Sequence, residues 1–171
     1  MNEHIDKLAA NVVKLLSEKG KKAATAESCT GGLASAAITS VSGSSEVFEL
    51  GVCSYANRIK QEVLGVSAEA LEKYGAVSEQ VAVEMAQGVM KRAASDFAVS
   101  TTGIAGPTGG SAEKPVGTVW IGVCSKDCCH AERFLFGTED CPDGVTEREF
   151  IRQQAVRKAL ELLQREIKKV K

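Results

Sequence analysis

Along this chain, stretches with the apolar spacing of helices alternate with short apolar runs closed by small polar turns, and this alternation constrains the fold more than any other feature. Ile5, Leu8, Val12, Val13, Leu15 and Leu16 recur at helical spacing until Gly20 stops the pattern. Residues 23–26 then read as a strand, 33–38 as a helix broken over 41–45, and 48–55 as a buried strand. Short helices follow over 59–64 and 68–74. Ser78 stands where its hydroxyl can cap a longer helix over 79–94. Residues 97–102 predict another strand, which runs into a glycine-rich loop over 103–111. The segments 116–124 and 131–136 flank a polar turn, 125–129, as an antiparallel hairpin at a sheet edge would. A long helix over 145–170 completes the pattern. The expected class is α/β: a three-layer α/β/α sandwich around a mixed, mostly parallel sheet with an antiparallel edge hairpin. At 171 residues the chain fits one domain, 1–171.

Charge and composition remove several classes of function. Lys plus Arg number 21 against 22 Asp plus Glu, so no global basic field is present to hold nucleic acid. No apolar stretch approaches the ~18 residues of a membrane span. The start, Met1-Asn2-Glu3-His4, is polar and unlike a signal peptide, so a soluble cytoplasmic protein is expected. The six cysteines include no CxxC, and with no secretion signal they are expected to be reduced thiols. Cys124, Cys128, Cys129 and His130 suggest zinc at first sight. Two adjacent cysteines chelate one ion poorly, however, and a second pair at metal spacing is missing, so no metal is expected. With only His4 and His130 in the chain, a nucleophile would need a base other than histidine.

Ser28 falls at the carboxyl end of a predicted strand and just before a helix, where open α/β sheets hold ligands. There the amides of Thr30, Gly31 and Gly32 can hold an oxyanion or phosphate at the helix pole; alternatively Ser28 or Thr30 only caps the helix. The segment is not a GxSxG elbow, because Ala26 and Thr30 stand at the glycine positions. Tyr55-Ala56-Asn57-Arg58-Ile59-Lys60 follows the next strand and should open at the same sheet edge. Lys60 can serve as a base if burial or Arg58 lowers its pKa, whereas most lysines stay charged at the surface. Tyr55 can donate a hydrogen bond or merely pack. The loop from Gly103 to Ser111, Gly106 included, can bring amides close to an anion or be only a long turn, and it matches neither a P-loop nor GxGxxG. Gly43, Ser44 and Ser45 make another small polar turn. Arg148 and Arg152 share a helix face and can reach a phosphate or carboxylate, or pair with Glu149 or Glu161.

Ala26-Glu27-Ser28-Cys29-Thr30-Gly31-Gly32, Tyr55-Ala56-Asn57-Arg58-Ile59-Lys60, Gly75-Ala76-Val77-Ser78, Thr102-Gly103-Ile104-Ala105-Gly106-Pro107 and Lys114-Pro115-Val116-Gly117-Thr118-Val119 together closely resemble the CinA C-terminal domain family. The resemblance runs in order over nearly the whole chain. It implies hydrolysis of the carboxamide of nicotinamide mononucleotide to nicotinic acid mononucleotide and ammonia, with Ser28 as nucleophile, Lys60 as base, Tyr55 as a supporting hydroxyl and no cofactor. It further implies that Gly43 and Ser45 line the ligand site, that Arg148 binds there, and that the protein is a homo-oligomer. The family's Gly-Asp-Arg before the last helix stands here as Thr146-Glu147-Arg148, after an insertion around 137–144. The length implies a stand-alone deamidase without the large N-terminal domain of many CinA proteins. The alternatives are a catalytically silent nucleotide-binding module and an amidase for another small carboxamide.

Overall fold

Three alanines in five residues give β1 (Ala23–Glu27) side chains small enough for helices to close over both of its faces, and every residue of the strand is buried. A computed structural model describes residues 3–170, so Met1, Asn2 and Lys171 of the polar termini lie outside the described residues. Beside β1 lie β2 (Phe48–Cys53) and β3 (Phe97–Gly103), both parallel to it. Then β4 (Thr118–Cys124) and β5 (Cys129–Leu135) add antiparallel, and the order across the sheet is β2-β1-β3-β4-β5. This is the expected mixed sheet with its edge hairpin.

On one face pack α1 (Glu3–Lys19), α2 (Leu33–Thr39) and α6 (Glu147–Lys169), around Leu16, Ile38, Ile121, Ile151, Leu160 and Leu163. Of the α1 stripe read from sequence, Ile5, Leu8, Val12, Val13 and Leu16 are buried, and Leu15 is partly buried against the same core. On the other face lie α3 (Asn57–Leu64), α4 (Ala68–Tyr74) and α5 (Glu79–Ala93), around Leu64, Val81, Met85 and Val89. Side-chain caps start three of these helices. Ser67 Oγ accepts from the Ala70 amide, Ser78 Oγ from Val81 and Thr146 Oγ1 from Glu149.

Two expectations need correction. The strand over 48–55 is an edge strand rather than a buried one: β2 ends at Cys53 and leaves Glu49, Gly51 and Cys53 exposed, because among the described residues only β1 pairs with it. The cysteines are not all thiols either. Cys124 and Cys129 are register partners across the β4–β5 turn, with Cα atoms 4.2 Å apart, and they form a disulfide. Cys29, Cys53, Cys128 and Cys141 remain free.

Candidate active site

Because β1, β2 and β3 are parallel, their carboxyl ends share one edge of the sheet, and the residues that follow each strand meet there. Ser28 continues β1, its amide donating to the Thr101 carbonyl at 2.9 Å. The Ser54 amide after β2 donates to the Glu27 carbonyl at 2.8 Å, which draws the entry to α3 against the nucleophile turn. Lys60, in the first turns of α3, is carried beneath Ser28 and is 1% exposed. A cavity of about 330 Å³ opens above the pair, within the ~300–1,000 Å³ usual for small-molecule sites. Ser28, Tyr55, Asn57, Lys60, Thr102 and Arg148 line it, together with backbone of the loop after β3.

Among the described residues the Lys60 amine has three hydrogen-bond partners: the Ser54 carbonyl at 2.7 Å, the Tyr55 carbonyl at 3.4 Å and Ser28 Oγ at 3.0 Å. The carbonyls can only accept. The serine hydroxyl can also donate, so when the amine is neutral its lone pair has one partner to face, the Ser28 proton. Burial pushes the Lys60 pKa below the ordinary lysine value, with the neighbouring Cys29 opposing, and among the described residues no carboxylate forms an ion pair with it. The arrangement is that of a hydroxyl nucleophile beside an amine base.

Arg148 closes one wall. It donates to the Gly106 carbonyl at 2.6 Å and to the Tyr55 hydroxyl at 3.1 Å, tying the ends of β2 and β3 to the start of α6. Tyr55 stands at the mouth, 68% exposed, and the partner of its hydroxyl is Arg148 rather than Lys60. Gly106 has φ +76°, and a Cβ there would meet Val116 Cγ1 at 2.5 Å, so the loop needs glycine to pack against Val116, just before β4. Gly103 lines the same wall at the end of β3.

The turn after Ser28 is built differently from the expected anion cradle. Glu27 fills the pole of α2 from within. Its Oε2 accepts from Thr30 Oγ1 at 2.6 Å and from the Gly32 and Ala34 amides at 3.0 Å; its Oε1 accepts from the Ser35 amide at 2.8 Å and Ser35 Oγ at 2.6 Å. The Gly32 amide is therefore turned onto a carboxylate of the protein itself, and Thr30, Gly31 and Gly32 lie outside the residues that line the cavity. A wholly buried Thr30 also bonds Thr101 Oγ1 at 2.7 Å. Gly43 and Ser45 are remote as well. They precede β2, and the carbonyl of Val47, just before that strand, pairs with the Ala23 amide, so they sit at the end of the sheet opposite Ser28, about five strand residues or ~17 Å away.

Glu27, Asn57 and Thr102 carry no role in the sequence reading above. The signal for Glu27 is a carboxylate one residue before a serine turn and a helix start. A larger groove of about 490 Å³ between α1, α2 and α6 has Arg148 and Arg152 in its wall but reaches neither Ser28 nor Lys60.

The model of the CinA C-terminal domain family matches residues 5–167. The chain is 54% identical over 125 residues to the nicotinamide-nucleotide amidohydrolase PncC of Enterobacter agglomerans, covering 73% of this chain and 76% of that protein. It is 46% identical over 154 residues to a putative competence-damage inducible protein of Thermoanaerobacter pseudethanolicus, covering 90% of this chain but only 35% of the longer relative. Among solved structures, the competence/damage inducible protein CihA of Agrobacterium tumefaciens superposes with a TM-score of 0.88 at 41% identity, covering 95% of both chains. A CinA superfamily protein of Klebsiella pneumoniae gives 0.88 at 32% identity over 99% of both chains.

Proposed function

Because this chain belongs to the CinA C-terminal domain family and carries a buried lysine against an accessible serine, we propose that it is an amidohydrolase that converts nicotinamide mononucleotide to nicotinic acid mononucleotide and ammonia. The observation that carries the reading is the 3.0 Å contact from Lys60 Nζ to Ser28 Oγ in a setting where the amine's other partners only accept. The name of the Enterobacter relative supplies the substrate class.

In this mechanism neutral Lys60 takes the Ser28 proton as Oγ bonds the carboxamide carbon. The tetrahedral oxyanion rests on amides lining the cavity, and Lys60 returns the proton to the nitrogen as the C–N bond breaks and ammonia leaves. Water, deprotonated by the same amine, then attacks the acyl-serine ester, and Lys60 passes that proton to Ser28 Oγ as the C–O bond breaks and the acid leaves. Arg148 meets the substrate phosphate, since with Lys60 neutral it is the permanent cation among the residues lining the cavity. Tyr55 steadies that arginine through its hydroxyl. We further propose a homo-oligomer, in which Gly43 and Ser45, remote from Ser28 in their own chain, meet the ligand site of a neighbouring copy. No helix among the described residues is long and apolar enough to cross a membrane. We place the reaction in the cytoplasm, where such nucleotides are handled.

Ammonia release from the mononucleotide tests the proposal. Ser28→Ala and Lys60→Ala should each cut kcat by about a thousandfold or more. Full activity in Ser28→Ala would refute the mechanism. Tight calorimetric binding without turnover by the unaltered protein would favour a silent binding module. The riboside should lose much of kcat/KM; equal turnover of an unrelated carboxamide would refute the substrate assignment.

A further inference from the structure

Resting on the Ser28–Lys60 reading, we propose that Arg152 is a positioning residue that sets the nucleophile turn by its carbonyl groups, opposite Glu27, which sets the same turn by its amides. Arg152 lies one helical turn beyond Arg148 on α6 and does not line the cavity. Its Nε donates to the Cys29 carbonyl at 3.2 Å and its Nη2 to the Thr30 carbonyl at 2.8 Å, two successive peptide oxygens held by one rigid fork.

The anticipated ion pairs of Arg152 do not form. Glu149 accepts from Gln153, and Glu161 accepts from Arg157 and Lys158. Among the described residues, Arg152 belongs to no ion pair. A half-buried guanidinium with no carboxylate partner is thus committed to two backbone carbonyls immediately after Ser28. Gly31 permits the approach: a Cβ there would stand 3.2 Å from Arg152 Nη2, and its φ is +60°. The turn is gripped on all sides. Ser28 is tied to Thr101 by its amide, Gly32, Ala34 and Ser35 to Glu27, and Cys29 and Thr30 to α6 by Arg152.

Arg152 acts through Ser28 rather than on substrate. Without it, residues 29 and 30 lose their tie to α6, and Oγ drifts from the 3.0 Å at which Lys60 can take its proton. A displacement of ~1 Å at a reacting atom costs on the order of a hundredfold in rate.

The test measures the rate at which an aryl sulfonyl fluoride labels Ser28, read by intact mass across a pH series, beside kcat and KM for nicotinamide mononucleotide. In the unaltered protein the labelling rate should rise with pH and level off once Lys60 is neutral. Arg152→Ala should lower the labelling rate and kcat by about tenfold to a hundredfold, with KM within threefold, and should lose the plateau, because an unassisted serine keeps gaining rate with hydroxide. Arg152→Lys, which can still reach one carbonyl, should recover part of the rate and the plateau. A lowered rate with the plateau kept would mark damage to the fold alone and overturn the positioning role. If Arg152→Ala does not fold, Arg152→Gln, with a single donor nitrogen on a shorter side chain and no charge, carries the same expectation. Labelling of a folded variant at the unaltered rate, with the plateau kept, overturns the positioning role and leaves the dyad standing. Failure of the unaltered protein to label at Ser28 overturns both.

Discussion

Replacing Glu27 with Gln changes one oxygen for an NH₂ of nearly the same size, so its cost isolates what the carboxylate does at the pole of α2. Five donors point at the two oxygens: Thr30 Oγ1, Ser35 Oγ and the amides of Gly32, Ala34 and Ser35. In the better orientation the Gln oxygen takes the three donors now on Oε2, and the NH₂ faces Ser35. There Ser35 Oγ can turn to accept, but the Ser35 amide is left against another donor, at about 1–3 kcal/mol. The three retained bonds lose their ionic assistance, about 0.5 kcal/mol each, and the favourable charge at the helix start disappears, about 0.5–1 kcal/mol. Relief from burying a charge offsets part of this, since Glu27 is 1% exposed. The net expectation is a loss of about 2–4 kcal/mol. For a chain of 171 residues that corresponds to a fall in Tm of about 5–15 °C. Urea denaturation followed by circular dichroism measures it directly. A loss below about 0.5 kcal/mol would refute the accounting, because the five bonds would then be replaceable by a neutral amide.

Burial holds Lys60 below its ordinary pKa of 10.5, so kcat/KM should climb with pH along a limb whose midpoint lies below 10.5 and then level off. Between the folded and unfolded pKa values the unfolded chain binds the proton more tightly. Stability should therefore rise with pH in that window, and Lys60→Met should abolish the rise in a denaturation series. Burial pushes Asp96 upward, but the Lys22 amide at 3.0 Å and the Lys21 ammonium at 3.1 Å outweigh it and hold the carboxyl below its usual value. Asp96→Asn should therefore cost about 1 kcal/mol at neutral pH. That deficit should fade as pH falls from about 4 through the folded pKa, whereas an equal deficit at pH 2 would refute the assignment. Thiol titration of the denatured, unreduced protein should count four cysteines, in keeping with a Cys124–Cys129 bond, and a count of six would contradict it.

Much of this molecule is written in local periodicity. The α1 stripe, the Ser78 cap, the edge hairpin and the three-layer class all follow from the spacing of side chains that must be buried or capped wherever the chain goes. The strand-to-helix positions of Ser28 and Lys60 were legible for the same reason, because parallel strands place such turns at one edge. What local pattern cannot carry is the identity of a partner distant in sequence. That β2 is an edge strand depends on which strands pair, and that Cys124 meets Cys129 depends on hairpin register. The pole of α2 looks open to an anion from sequence, yet the fold closes it with Glu27, since a buried carboxylate one strand residue away satisfies those amides without a ligand. Arg152, 124 residues beyond Ser28, could be read only as a cation on a helix. The tertiary structure alone seats it on the Cys29 and Thr30 carbonyls, because a hydrogen bond depends on distance in space and not on separation along the chain.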